Sequence, residues 1–206
     1  MAAKSRSWRL GEILIQNGWI TWEQLEKALE MQRSSSAQDM GDILVAKGFL
    51  DEKQAQLLNL GEILIRHKLI TWDQLTEALK IQKQTGEIIG RVLVKKKFVS
   101  EKNLYRALAL QFNMTFVDFN KVDIPPETLG LIDKSLAYEL RTLPLIKKDN
   151  VLLIAITDPN DVRPEAELRK RVEWDIRVAL AAPSDMESAL QKYYGPEFEG
   201  GSKSAV

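Results

Sequence analysis

The sequence predicts an α+β fold in which N-terminal helical-hairpin repeats are followed by a small α+β subdomain. In the N-terminal half, apolar residues recur at three- and four-residue spacing in four related segments, as on the buried faces of short helices. After Gln111 this periodicity stops, and short apolar runs bounded by proline and turn residues are typical of strands.

The helical half is built from copies of one unit. LGEILIQNGWITWEQLEKALEMQ occupies residues 10–32 and LGEILIRHKLITWDQLTEALKIQ residues 60–82, with many of the same residues at the same offsets. A looser copy occupies residues 89–111, and a fourth, at residues 40–58, is cut short. Such similarity indicates duplication. The shortened copy must run into the next one, which predicts one long helix over about 51–67.

Each copy is expected to form a helix, a tight turn and a second helix. Thr21 with Gln24, and Thr71 with Gln74, have the form of capping boxes, in which side chain and backbone of the two residues bond reciprocally. These pairs predict where the second helices begin.

The turn inside each copy is occupied by either glycine or lysine. Gly18 and Gly48 stand where a left-handed residue would end the first helix, but the other copies have Lys68 and Lys97 there. A left-handed Lys costs roughly 1 kcal/mol more than Gly. These two turns are therefore either mildly strained or of another type.

The region after Gln111 is expected to contain strands and short helices. Strands are expected at residues 114–119, 145–146, 151–156 and 177–181, and helices from Pro125-Pro126, over 136–141, over 164–171 and from Ser184 to about Tyr194. Residues 147–150 predict a hairpin turn. Ser184 and Glu187 have the spacing of a capping box for the last helix.

These patterns predict four parts of the chain. They are a truncated motif pair at residues 1–58, a complete helical motif pair at 59–113, a small α+β subdomain at 114–195 and a flexible tail at 196–206.

Composition excludes several classes of function. Lys+Arg and Asp+Glu both total 29, so no global positive field exists to hold nucleic acid or anionic lipid. Cysteine is absent and His67 is the only histidine, which argues against thiolate chemistry and multi-histidine metal sites. No apolar run approaches the roughly 20 residues of a membrane helix, and the N-terminus lacks a signal-peptide pattern. A cytoplasmic location without membrane insertion is expected.

No pattern for catalysis is found. The phosphate-loop motif G-x-x-x-x-G-K-[ST] does not occur in the sequence, and the acidic residues are scattered on polar faces rather than paired. The chain is therefore expected not to be an enzyme and not to need a metal.

The stretch RLGEILIQNGWITWEQLEKALEMQ, residues 9–32, resembles the N-terminal domain of type II secretion and type IV pilus assembly ATPases, the MshEN family. Its motif is Arg-Leu-Gly, apolar pairs around a Gly, two spaced Leu and a final Gln. FVDF, TLPLIKKDNVLLIAITDP and ALQKYYG look like the α+β portion of the same domain. The resemblance covers about residues 9–195.

The resemblance implies that the chain binds cyclic di-GMP. In the family, two motifs joined by a five-residue spacer each grip half of this ligand, and residues 59–82, 83–87 and 88–111 have that layout. An Arg fork suits guanine O6 and N7, Leu can cover the base, Gly lets the ligand approach a helix N-terminus, and Gln suits a purine edge. The implied ligand-binding residues are Arg9, Leu10, Gly11, Leu25, Leu29, Gln32, Leu60, Gly61, Leu75, Leu79, Gln82, Gly90, Leu104, Leu108 and Gln111.

The later motifs depart from the family pattern. Asn59 and Ile88 stand at the Arg positions of the complete pair, and in the truncated pair Ala55 and Asn59 replace the two Leu of the second motif. Either the motif of Arg9 combines with a motif from elsewhere in the fold or from another chain, or the ligand site has decayed into scaffold.

Two functions follow as hypotheses. The first is a cyclic di-GMP-binding regulatory or adaptor protein without the ATPase domain of the family. The second is a ligand-free interaction module that contacts a secretion, pilus or motility machine through exposed Trp residues. An enzymatic function is a third and weaker hypothesis.

Because the extra motif pair is incomplete, a second copy of the chain is expected to cover its apolar face, giving a homodimer.

Overall fold

The computed structural model describes residues 6–34 and 40–195. The chain forms two compact units, residues 1–100 and 101–206. The helices of the N-terminal unit are α1 (Arg6–Gln16), α2 (Trp22–Ser34), α3 (Met40–Ala46), α4 (Glu52–Arg66), α5 (Trp72–Thr85) and α6 (Ile89–Lys95). The predicted four-part division stays a prediction, and the expected tail at 196–206 lies outside the described residues.

The helical hairpins form where the repeats predict them. The side chain of Thr21 accepts a hydrogen bond from the Gln24 N–H at 3.2 Å, and the Gln24 side chain accepts one from the Thr21 N–H at 2.8 Å. Thr71 and Gln74 repeat this arrangement. Both predicted capping boxes are confirmed.

The predicted long helix is also confirmed, because α4 runs without interruption from the second half of one repeat into the first half of the next. It begins after Asp51, which forms a third capping box with Gln54, and it ends at the C-cap residue His67. No turn therefore separates the shortened repeat from the repeat that follows it.

All four turns are of the same left-handed type. The φ angle is 70° at Gly18 and 67° at Gly48, and it is 58° at Lys68 and 57° at Lys97. The lysine turns are thus the mildly strained alternative, because an L side chain in this region crowds its own carbonyl.

Apolar side chains of the first hairpins share one core. Its buried members are Leu10, Leu14, Ile20, Leu25, Ala28, Met40, Ile43, Leu44, Leu50 and Leu58. They come from both helices of the first repeat and from the truncated repeat, so neither hairpin buries its apolar face alone.

The C-terminal unit has the mixed architecture expected of it. Its elements are α7 (Glu101–Gln111), β1 (Phe116–Val117), α8 (Pro126–Leu129), α9 (Lys134–Leu140), β2 (Leu143–Lys148), β3 (Val151–Ile156), α10 (Arg163–Arg169), β4 (Asp175–Ala181) and α11 (Pro183–Tyr194). The sheet has the order β1-β4-β3-β2, in which β2 and β3 are antiparallel and the other pairs are parallel. The α+β fold class is confirmed.

Two local predictions in this unit are wrong. The strand expected at 114–119 is only Phe116–Val117, because Met114 still bonds back to Ala109 of α7 and the Asp118 side chain accepts the Asn120 N–H in a turn. The predicted Ser184–Glu187 capping box is absent from the described structure.

The last helix begins two residues earlier than the capping box requires, since Pro183 occupies its first position and Ala182, not Ser184, is the N-cap. The Ser184 N–H instead donates to the Glu101 carboxylate at 3.1 Å, and the Ser184 hydroxyl contacts the same oxygen. A carboxylate on α7 therefore supplies the cap.

Within residues 6–34 and 40–195, no helix combines the length and apolar character needed to cross a bilayer.

Candidate functional site

The residues expected to bind ligand differ widely in exposure. The buried ones are Leu10, Gly11, Leu25, Leu60, Gly61, Leu75, Leu79, Gly90 and Leu104; the half-buried ones are Leu29, Gln32, Gln82, Leu108 and Gln111. Arg9 is exposed. Most of the leucines therefore pack inside the protein, whereas Arg9 is exposed and the three glutamines are half-buried.

Two of the motif glycines have a packing role. A Cβ atom on Gly11 would lie 2.3 Å from Leu25 Cδ1, and one on Gly61 would lie 2.9 Å from Leu75 Cδ2. In both repeats, the leucine of the second helix, Leu25 or Leu75, thus packs directly against the backbone of the first helix.

These glycines do not lie at helix N-termini. Gly11 lies inside α1 and Gly61 inside α4, where the backbone N–H groups bond within the helix. Arg9, expected at a helix start, also lies within α1. The helices begin earlier than the motif does, because α1 includes Arg6 and α4 includes the second half of the preceding repeat.

Arg9 lines a cleft of about 560 Å³ formed by the turn of the next complete hairpin. The other lining residues are Ile65, Lys68, Leu69, Ile70, Thr71, Trp72, Gln74 and Phe98. We call this the Arg9 cleft. In this cleft, Arg9 of the first repeat lies next to residues of the α4–α5 turn. The spacing of two consecutive motifs along the sequence does not predict this arrangement.

The Arg9 cleft is electropositive. Arg9 and Lys68 are its charged lining residues, and none of the residues that line it is acidic. Both are exposed, and neither side chain forms an ion pair with any residue in the described part of the chain. Trp72 and Phe98 add aromatic surface. The cleft therefore offers two cations and flat apolar rings, which suit an anionic aromatic ligand.

A second cleft, of about 490 Å³, contains two of the predicted ligand residues, Leu79 and Gln82. Its other lining residues are Asn17, Gly18, Trp19, Asp51, Lys53, Gln54, Leu57 and Lys83. We call this the Gln82 cleft. The Lys83 ammonium donates to the Asn17 carbonyl at 2.9 Å, so α5 is tied to the turn of the first hairpin.

The structure separates Arg9 from Gln82, which line different clefts. Leu29 and Gln32 are not among the described lining residues of either cleft. Leu104, Leu108 and Gln111 lie on α7, in the C-terminal unit.

Lys68 and Phe98 are cleft residues that the sequence reasoning did not select. Lys68 carried a signal, because a lysine occupied a turn position that suits glycine. Phe98 had no such signal in the sequence. It lies 89 residues from Arg9 along the chain, and only folding brings the two residues to one cleft.

Some charged groups elsewhere form ion pairs with one another. In the C-terminal unit, the Lys102 ammonium donates to the Asp118 carboxylate at 2.7 Å, and this hydrogen bond lowers the pKa of Asp118 below its usual value. Among the described residues, no group of three or more His, Asp or Glu side chains is arranged to hold a metal ion.

Comparison with known families and curated proteins gives consistent matches. Residues 112–200 match the MshEN domain family. The type IV pilus assembly ATPase PilB of Thermus thermophilus is 32% identical over 187 residues, which are 90% of this chain and 15% of the relative. The PilB of Myxococcus xanthus is 28% identical over 120 residues, which are 57% of this chain and 21% of the relative. The chain thus spans less than a quarter of either relative.

Solved structures show the same likeness. A structure of MshE with cdg, which denotes cyclic di-GMP, has a TM-score of 0.55 and 28% identity and covers 66% of this chain and 98% of that one. The N-terminal domain of XpsE has a TM-score of 0.50 and 16% identity and covers 68% of this chain and 96% of that one. The XpsE likeness is one of fold.

Proposed function

This chain carries an MshEN domain and is related to MshE and the PilB ATPases, and from that premise we propose that it binds cyclic di-GMP and acts as a regulatory adaptor. The ligand comes from the structure of MshE with cdg, which is 28% identical to this chain. The pilus machine as the proposed setting comes from the two relatives, which are type IV pilus assembly ATPases. The adaptor role and the secretion or motility machine are part of the proposal and come from the family resemblance of the sequence.

One observation carries the proposal. Arg9, at the Arg position of the family motif, is exposed in a cleft that also contains Lys68 and Trp72 and has no acidic lining residue. Cyclic di-GMP has two phosphates and two guanines. A guanidinium can donate two parallel hydrogen bonds to O6 and N7 of one guanine, an ammonium can face a phosphate, and an indole can stack on a base.

The burial of the motif leucines changes the chemistry of the proposal. If these side chains stay in the core, the ligand makes fewer apolar contacts than the motif implies and depends more on Arg9. Affinity should then decrease with added salt, because interactions of exposed charges are screened.

A second function is favoured by a different observation. Trp22 is 52% exposed, and its ring lies 6.0 Å from that of Trp8. Exposed aromatic residues of this kind are common in protein interfaces. An interaction module that has lost the ligand would keep these residues and would not need the Arg9 cleft.

Isothermal titration calorimetry with cyclic di-GMP tests the proposal. The wild-type chain should bind, and Arg9→Ala should weaken binding at least about tenfold, since charge-assisted hydrogen bonds contribute about 1.5–3 kcal/mol. Arg33→Ala is the matched control, because Arg33 is an exposed arginine at the end of α2 that does not line the cleft. GMP controls for general nucleotide binding.

No heat at high micromolar cyclic di-GMP would refute the receptor function and favour the interaction module. Binding that Arg9→Ala and Arg33→Ala leave equally strong would place the ligand outside the Arg9 cleft.

A further inference from the structure

The four hairpin turns share one backbone geometry but differ in the residue that adopts it. In the first repeat the Gly18 N–H donates to the Ile15 carbonyl at 2.9 Å, and the Lys68 N–H donates to Ile65 at the same distance. The φ angles of Gly18 and Lys68 are 70° and 58°. Because the turn is the same, glycine forms its backbone hydrogen bonds as well as lysine does, and glycine adopts positive φ without strain.

Lys68 therefore occupies a position where a lysine is less favourable than a glycine. Strained residues of this kind persist where the surrounding structure holds them, and they concentrate at binding sites.

The surroundings of Lys68 distinguish it from the other lysine turn. Lys68 lines the Arg9 cleft, whereas Lys97 is not among the described residues that line it. Near Lys97, the Lys95 ammonium pairs with Glu87 at 2.6 Å and the Lys96 ammonium with Glu77 at 3.0 Å. These carboxylates pair with the neighbours of Lys97, and neither Lys97 nor Lys68 forms an ion pair of its own in the described part of the chain. The difference between the two turn lysines is therefore that Lys68 lines the cleft that contains Arg9, where its charge is available to an incoming anion.

We propose that Lys68 is a ligand contact that binds a phosphate of cyclic di-GMP while Arg9 binds guanine. This inference rests on the proposed function. The division of roles follows from the two cations, since a guanidinium fork matches the paired acceptors of guanine and an ammonium acts as a point charge on phosphate.

A matched pair of variants tests the proposal. Lys68→Gly and Lys97→Gly make the same chemical change at the same backbone geometry, and both should raise the thermal unfolding midpoint by about 2–4 °C because strain is relieved. In calorimetry with cyclic di-GMP, Lys68→Gly should weaken binding by about three- to tenfold, whereas Lys97→Gly should bind like the wild type.

A third variant separates charge from backbone geometry. Lys68→Asn keeps a side chain that tolerates positive φ but removes the ammonium, so it should lose as much affinity as Lys68→Gly. Wild-type affinity should also decrease more steeply with salt than that of either Lys68 variant.

The outcomes are distinguishable. Wild-type binding that both Lys68 variants leave unchanged would overturn the role of Lys68 and leave the proposed function standing. Equal losses in Lys68→Gly and Lys97→Gly would also overturn it, because the effect would not belong to the cleft. A wild-type chain that does not bind would overturn both proposals.

Discussion

Replacing the glycine at the equivalent position of three repeats by alanine should change stability by graded amounts. A Cβ on Gly11 would lie 2.3 Å and 2.6 Å from the two methyl carbons of Leu25 and 3.0 Å from its Cγ. On Gly61 the nearest carbon of Leu75 would lie 2.9 Å away, and on Gly41 nothing lies within 4 Å among the described residues. All three glycines are helical, so the backbone gain from alanine is similar in kind.

The expected free energies of unfolding follow from two opposing effects. Alanine stabilises a helix by about 1 kcal/mol relative to glycine, and less near a helix end. Overpacking a core costs about 1–3 kcal/mol, and Leu25 is fully buried and cannot move aside freely. We expect Gly11→Ala to destabilise by about 1–2 kcal/mol, Gly61→Ala to be near neutral and Gly41→Ala to stabilise by about 0.5 kcal/mol.

Urea unfolding followed by circular dichroism measures the series. A double-variant cycle sharpens it, since Leu25→Ala removes the atoms that Gly11→Ala would meet, and in that background Gly11→Ala should become stabilising. The packing argument would be refuted if Gly11→Ala stabilised the wild-type chain as much as Gly41→Ala does.

Two further predictions concern pH and assembly. Because its ion pair with Lys102 puts the pKa of Asp118 lower in the folded chain than in the unfolded one, the stabilisation is complete above the unfolded pKa and is lost as pH falls through the folded value. Denaturant unfolding between about pH 5 and pH 2 should therefore show a steeper loss for wild type than for Asp118→Asn, and parallel curves would contradict this. The predicted homodimer should give, by light scattering at micromolar concentration, twice the chain mass of 23.4 kDa, and Trp22→Glu should reduce it; a wild-type chain at 23.4 kDa would exclude the dimer under those conditions.

Much of the fold could be predicted because local rules agree with one another in the repeats. The hairpins, the capping boxes at Thr21 and Thr71 and the long helix α4 depend on residues close together in sequence. Of the two predictions that were wrong, the strand at 114–119 is shortened by local hydrogen bonds at Met114 and Asp118, whereas the start of the last helix depends on a distant partner. The start of α11 is capped by Glu101, which lies 83 residues away from Ser184, and no local pattern contains that contact.

The candidate site was less predictable than the fold. The motif predicts Arg9 to be a ligand residue, but its periodicity cannot distinguish a leucine that faces a ligand from one that faces the core. Leu25 and Leu75 lie against the backbone of Gly11 and Gly61, which explains the Leu-Gly step by packing.

The sequence by itself determined the repeated helix-turn-helix units, the α+β class and the relationship to MshEN domains. Each of these depends on which residues occur, and at what spacing, within short stretches of the chain. Tertiary structure alone decided which residues meet in the Arg9 cleft. Arg9, Lys68 and Phe98 come from three different repeats, and their meeting depends on how whole hairpins pack. Packing also decided that most motif leucines are core, since burial is a property of the completed fold and not of any single segment.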